Sequence, residues 1–430
     1  MNDSTIAGVR ARRVWDSRGR PTVEAEIALR SGAIGRAIAP AGASRGSREA
    51  IDMRDGGTSL GGLDVTRALA HVNGEIAQRL RGMRATDQRA VDDALIALDG
   101  TPNKSRLGGN ATIAISLAVL HAAAAQEGVP LHAHLAQGQA TRMALPEIQI
   151  FGGGAHAGRR IDIQDLMVMP LGAVSFDQAL RMTAEVYRAA GEVMRDRGTL
   201  YGLADEGGYW PAFDTNEQAL DALVKSIERA GFAPGKDLAI SLDIAASEFG
   251  HGGRYKLGLE QRDLSTQAMI DLLLGWIDRY PIASIEDPLA EDDVDGMIEF
   301  TRLAGARVQI IGDDYLVTNA ALIRDAAAAG ACNAVLIKPN QVGTVSETHD
   351  AVQAARAVRF ATIVSARSGE TEDVSICHLV TGWDAGQLKV GSFARSERMV
   401  KWNEMLRIEE VLGAAAPFAG RATLGRNSAD

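Results

Sequence analysis

The chain has 430 residues, 46% of them hydrophobic and 23% charged, with 45 Lys+Arg against 55 Asp+Glu for a net charge of −10. That composition excludes a disordered chain, and the diffuse acidic balance argues against a nucleic-acid partner, whose phosphates need a basic face. Only two cysteines, Cys332 and Cys377, are present, too few for a disulfide framework and in keeping with a reducing compartment. The start, MNDSTIAGVRARRVWDSRGR, has no apolar stretch of the kind that targets a chain to a membrane or export route, so a cytoplasmic location is expected.

In chain order, the first ~140 residues read as strands followed by helices, a small α+β unit. Thr22 to Leu29 alternates apolar and charged residues as a half-exposed antiparallel strand does. Ala39-Pro40-Ala41-Gly42-Ala43-Ser44-Arg45-Gly46-Ser47 reads as a mobile loop, being built of small residues. Helical patterns follow over Gly62 to Leu80, Asp87 to Leu98 and Asn110 to Gln126. The most apolar of these, Ala111 to Ala125, is too short to span a bilayer and reads as a buried alanine-rich helix.

From about Ala144, apolar runs alternate with helical stretches. LAISLD ends at Asp243, PIASIED reaches Glu286, VQIIGDD reaches Asp313 and NAVLIK ends at Lys338. ATIVSARS then reaches Arg367 and Ser368, and GQLK ends at Lys389. Continuous apolar runs suit parallel strands buried on both faces, and six in series predict a (β/α)8-type barrel with an N-terminal α+β capping domain. The expected division is 1–140 for the cap and 141–430 for the barrel. An open doubly wound sheet would call for a Gly-rich first turn, which no early strand carries. The final stretch, Gly413 to Asp430, rich in Ala, Gly and Ser, reads as an extended or frayed tail.

In a barrel the functional groups gather at the carboxyl ends of strands. Asp243, Glu286 and Asp313 would converge there. A single strand-end acid more often caps the next helix, but three in register repel unless a cation lies among them, and an all-oxygen set suits Mg²⁺ or Mn²⁺. Lys338 and Lys389 end strands in the same plane. A lysine buried beside a divalent cation and another ammonium has its pKa pushed down, the direction a base needs. The chemistry this suggests is proton abstraction next to a carboxylate. His132 and His134 are spaced two apart with no nearby acid or cysteine set, and read as solvated or locally bonded.

Eleven blocks in order carry a family resemblance: VWDSRGRPTVE, PAGASRGSREA, LDGTPNKSRLG, GGAHAGRR, ADEGG, SLDIAASEF, SIEDPLAEDD, IGDDYLVTN, LIKPNQVGT, SARSGETED and KVGSFARSER. Over nearly its whole length the chain resembles enolase. The resemblance implies Mg²⁺-dependent reversible dehydration of 2-phosphoglycerate to phosphoenolpyruvate, with two ions per site. It implies Lys338 as the base at C2 and Glu206 as the acid assisting loss of the C3 hydroxyl. Asp243, Glu286 and Asp313 match the high-affinity metal ligands, and Ser44 the loop serine that meets a second ion. Lys389 matches the second active-site lysine, which helps neutralise the carboxylate, and Arg367 and Ser368 the pair that holds the phosphate. His156 and Gln164 match lid and substrate contacts, and Asp165 the position that supports Glu206. A homodimer or higher homo-oligomer is the implied assembly.

Four departures stand out. Ala366 replaces a histidine near the phosphate, removing a donor worth ~1–3 kcal/mol when buried. Asp165 replaces a glutamate, withdrawing the carboxylate by one methylene, ~1.5 Å. Tyr209-Trp210-Pro211-Ala212 replaces a smaller loop beside Glu206, where an indole could reshape the mouth of the site, and Arg45 adds a cation next to Ser44. The proton-abstracting half is complete and the leaving-group and phosphate half is edited. Besides enolase itself, the alternatives are a paralogue enolising a related phosphorylated or phosphonate three-carbon acid, like carboxyphosphonoenolpyruvate synthase, and a catalytically silent enolase-like protein. A silent protein has no physical reason to keep such a costly cluster of like charges.

Overall fold

The chain begins with an antiparallel sheet, β1 (Ile6–Trp15), β2 (Pro21–Leu29) and β3 (Ile34–Ile38), in a computed structural model that describes residues 3–43 and 45–427. The alternation read in Thr22 to Leu29 is the β2 strand. Helices follow at Gln88–Asp99 and Gly109–Glu127, and the pattern over 62–80 becomes helical turns from Thr66 to Leu80 with a widened turn at Val72–Ile76. Gly109–Glu127 is buried on almost every side and lies against β2 and β3. Its backbone comes so near β3 that a Cβ on Gly35 would collide with the Ala118 carbonyl and the Ala122 amide. Small side chains on the helix are what let it sit this deep.

Eight strands close the barrel: β4 (Leu145–Gly152), β5 (Asp165–Met169), β6 (Ala239–Asp243), β10 (Ile282–Glu286), β11 (Gln309–Gly312), β12 (Ala334–Ile337), β13 (Ala361–Ser365) and β14 (Gly386–Ser392). Between β6 and β10 a separate antiparallel sheet of β7 (Gly250–His251), β8 (Arg254–Leu257) and β9 (Arg262–Ser265) stands apart. Barrel neighbours run parallel except at β5, which is antiparallel to both β4 and β6. A parallel connection needs a crossover of roughly a dozen residues or more, usually a helix. Residues 153–164 hold only one short helical turn, so the chain doubles back as a hairpin. The reversal matters for the site: β5 starts, rather than ends, at the functional end, and Asp165 pairs in register with Asp243.

The expectation of an extended or frayed tail is corrected through residue 427. The chain after Gly413 turns across the opposite end of the barrel, where Met143 N donates to Pro417 O (3.0 Å) and Ala419 N donates to Met143 O (2.8 Å). Leu424 is buried among Leu145, Met169, Leu171 and Ala239. Open strand starts expose apolar side chains, and the tail covers them. No helix among the described residues is long and apolar enough to cross a membrane.

Candidate active site

The carboxyl ends of β6, β10, β11 and β12 and the middle of β14 deliver Asp243, Glu286, Asp313, Lys338 and Lys389 to one buried place. Alternating pleats set which residues point inward, so these acids and lysines share the barrel axis. The expected end of the last strand at Lys389 is corrected: β14 runs on to Ser392, pairing with β4 beyond the lysine, so Lys389 projects from the middle of its strand. Lys389 Nζ donates to Glu286 Oε2 (2.7 Å) and Asp243 Oδ2 (2.9 Å), and lies 3.3 Å from Asp165 Oδ2. Lys338 Nζ bonds Asp313 Oδ2, and Gln341 Nε2 donates to Asp313 Oδ1 (2.8 Å).

Burial works to lower the pKa of both lysines, but the carboxylates facing them prevail, and both are raised. The depressed base expected from the sequence is therefore not the state set by the protein groups alone; the Asp313 charge holds the proton on Lys338. Glu286 moves the other way. Burial first, then the neighbouring Asp243, raises its pKa well above normal.

The donor set fits a hard divalent cation. The Oε1 atom of Glu286 is buried without a hydrogen-bond partner among the described residues, on an all-oxygen face shared by three strand-end acids. Asp314 and Asp287 widen this face. Asp287 takes a left-handed backbone (φ +39°) and accepts from the amides of Asp313 (2.9 Å) and Asp314 (2.8 Å). Such strain in a non-glycine residue persists only where its surroundings enforce it. Ligand atoms of Asp287, Asp313 and Asp314 lie within 4.8 Å of one another, as do those of His156, Asp165 and Glu206.

The second trio forms the other wall. His156, from the loop between β4 and β5, donates through Nδ1 to Asp165 Oδ1 (3.0 Å), while Nε2 faces Ser368 Oγ (3.1 Å) and Glu206 Oε1 (3.5 Å). Burial alone would lower its pKa; Glu206 and Asp165 reverse this and push it up to about 9. Asp165, despite burial, is held low by His156 and Lys389. Its shorter side chain still reaches both. Glu206 sits in a turn that only glycine can complete: Gly207 has φ +95°, and a Cβ there would stand 2.6 Å from Ala394 O.

Arg367 forks onto Glu49, with Nη1 to Oε2 at 3.0 Å and Nη2 to Oε1 at 3.2 Å. The loop carrying Arg367 and Ser368 is pinned from below by the fully buried Arg398, whose Nη1 donates to Arg367 O (2.7 Å) and Val390 O (2.9 Å). Gln164 Nε2 donates to Asp243 Oδ2 (3.1 Å). His156, Gln164, Asp165, Glu206, Asp243, Lys338, Arg367, Ser368 and Lys389 line one narrow cavity, with Ala366 as part of its wall. Ser44, expected beside the metal, lies outside the described residues.

Trp210 is not part of that lining; the tip of its ring comes 4.0 Å from the position a Cβ would take on Gly158, in the His156 loop. Arg45 pairs with Asp52 (3.2 Å). His132 stacks on His378 with centroids 5.7 Å apart, and His134 bonds Glu127 (2.7 Å).

Sequence reasoning missed Glu49, Gln341, Asp287, Asp314 and Arg398. Glu49 lies inside the PAGASRGSREA block and Gln341 inside LIKPNQVGT, so the blocks pointed to the neighbourhood. Their partners are hundreds of residues away or on adjacent strands, which no spacing discloses.

A barrel closed by eight strands, with convergent acids and lysines at one end and an α+β cap, is the architecture of a barrel enzyme whose acidic groups could hold a metal ion. Residues 6–135 match the family model "Enolase, N-terminal domain" and residues 140–427 match "Enolase, C-terminal TIM barrel domain". The chain is also 47% identical over 424 residues to Enolase 1 of Desulfitobacterium hafniense (strain Y51), covering 98% of this chain and 97% of the relative. The protein belongs to the enolase family, and is a lyase of the phosphopyruvate hydratase type.

Proposed function

We propose that the protein catalyses the reversible dehydration of 2-phosphoglycerate to phosphoenolpyruvate, with Lys338 removing the C2 proton and Glu206 assisting departure of the C3 hydroxyl. The observation that carries this reading is that Lys338 and Lys389, among the strand-end acids, and Glu206, beside His156, line one cavity. A base and an acid in one cavity are what an elimination across C2–C3 requires.

Asp243, Glu286 and Asp313 would hold a Mg²⁺ ion, whose positive charge would offset these carboxylates and lower the ammonium pKa of Lys338. Lys389 adds a fixed ammonium to the substrate's carboxylate. Arg367 and Ser368 hold the phosphate, Arg367 exchanging one fork of its Glu49 pair for phosphate oxygens. His156 Nε2 lies 3.5 Å from Glu206 Oε1, so an imidazolium there holds its proton on the departing hydroxyl's side of the site. Asp165 holds that imidazolium in place. Gln164 fixes Asp243, and a second ion would be met by Ser44.

Purified protein incubated with 2-phosphoglycerate and Mg²⁺ tests the assignment by the enol absorbance of the product. Turnover that disappears in Lys338→Ala is expected; no turnover above that variant's background overturns it. The edited wall favours one competing reading, a related phosphorylated or phosphonate three-carbon acid, because Ala366 presents only a methyl group beside Ser368. If restoring the side chains with Asp165→Glu and Ala366→His abolishes a different activity rather than raising this one, that reading stands. The working assembly we propose is a homodimer or larger homo-oligomer in the cytoplasm.

A further inference from the structure

Below the catalytic layer the barrel axis is polar. Glu147 of β4, Ser241 of β6, Ser284 of β10, Gln309 of β11 and Gln387 of β14 all have no exposed surface. Barrel interiors are ordinarily filled with branched apolar side chains, and a buried polar atom without a partner costs stability. Three such atoms occur here, Glu147 Oε1, Gln309 Nε2 and Gln387 Oε1, none with a hydrogen-bond partner among the described residues.

Glu147 is the one acid in this layer. It lies beside Lys389 in the parallel register of β4 and β14, so both side chains point to the barrel axis from adjacent strands. Ser241 Oγ donates to its Oε2 (2.9 Å) from β6. The charged groups that act on it are Lys389 from β14 and Asp243 from β6. None of the roles proposed for the upper layer uses it.

We propose that Glu147 is a positioning residue that acts through Lys389, setting how much of that ammonium's charge is turned toward the substrate's carboxylate. The proposal rests on the reading of Lys389 as the carboxylate-binding lysine. Burial, opposed by the Ser241 bond and the Lys389 charge, pushes the Glu147 carboxyl up to about 7. Below that pH the carboxyl is neutral and Lys389 acts upward alone. Above it a carboxylate lies beside Lys389, shares its charge and adds a negative centre near the substrate's carboxylate, so substrate affinity falls as pH rises.

Glu147→Gln keeps the shape and removes the titration. The KM for 2-phosphoglycerate of the native enzyme, divided by that of Glu147→Gln, is expected near 1 at pH 6 and about three- to tenfold higher at pH 8.5, with kcat changing less. A ratio that stays flat across this range overturns the proposal. Difference infrared spectra of native protein minus Glu147→Gln give a second readout that needs no turnover. The protonated-carboxyl band of Glu147 should fade through pH 7, and in Lys389→Met it should persist to higher pH. An unmoved band in Lys389→Met overturns the coupling. Absence of turnover with 2-phosphoglycerate beside a band that does move sinks the function assigned above and leaves the Glu147–Lys389 coupling standing. Circular dichroism melting of each variant separates misfolding from the effect sought, and Glu147→Asp should restore part of the pH dependence.

Discussion

The two ends of the barrel are built from the same strands and could hardly differ more. At the carboxyl end, two lysines and Arg367 are packed against at least five buried acids; Glu286 is pushed well above its ordinary pKa, and both lysines are held more firmly as ammonium. At the other end, Leu424 of the terminal segment closes over Leu145, Met169, Leu171 and Ala239. Gathering like charges opposes folding, and burying apolar surface favours it. One end carries chemistry at a cost in stability; the other end and the core supply the stability that tolerates it.

That contrast breaks most sharply if Lys338→Ala leaves the rate intact. Loss of a general base should lower kcat by about 10²–10⁴. The melting temperature in Mg²⁺ should move by only a few degrees, read by calorimetry. A large fall in stability with modest loss of rate would make Lys338 a structural residue instead. The mirror experiment is at the closed end. Leu424→Ala should cost about 2–4 kcal/mol in denaturant unfolding and leave kcat/KM at 25 °C unchanged. A loss of activity without loss of stability would mean that the two ends are coupled.

A pH titration sharpens the comparison further. His156 has its pKa raised to about 9 between Glu206 and Asp165. A histidine raised on folding stabilises fully below its unfolded value near 6.5, and this contribution is lost as pH climbs through the folded value. The stability gap between native protein and His156→Gln should therefore be about 3 kcal/mol at pH 6 and close by pH 9.5. A gap that widens with pH refutes a charged His156. The smallest effect expected is at the edited wall, where Asp165→Glu with Ala366→His should raise turnover of 2-phosphoglycerate by several-fold. Asp165 already reaches both His156 and Lys389, so little is left to recover.

Much of this was legible in the chain. Six of the eight barrel strands were legible in the sequence, five as apolar runs whose ends name Asp243, Glu286, Asp313, Lys338 and the Arg367 loop, while the sixth, β14, carries Lys389 at its middle and runs on to Ser392. The two strands that went unread differ physically. β4 carries Glu147 and Gln149 inward, which interrupts the apolar run, and β5 runs backward, which places Asp165 at its start. The rule that function sits at strand carboxyl ends finds Asp243 and cannot find Asp165.

The sequence by itself determined the kind of fold and the chemical inventory, because apolar period and strand-end residues are local properties of the chain. Only the tertiary structure decided which charge faces which. The proton on Lys338 is held by Asp313, Arg367 is matched by Glu49 from the other domain, and His156 is charged because Glu206 and Asp165 flank it. Ionisation depends on distance and burial in three dimensions, and the partners that set it are brought together by closure of the barrel, not by proximity along the chain.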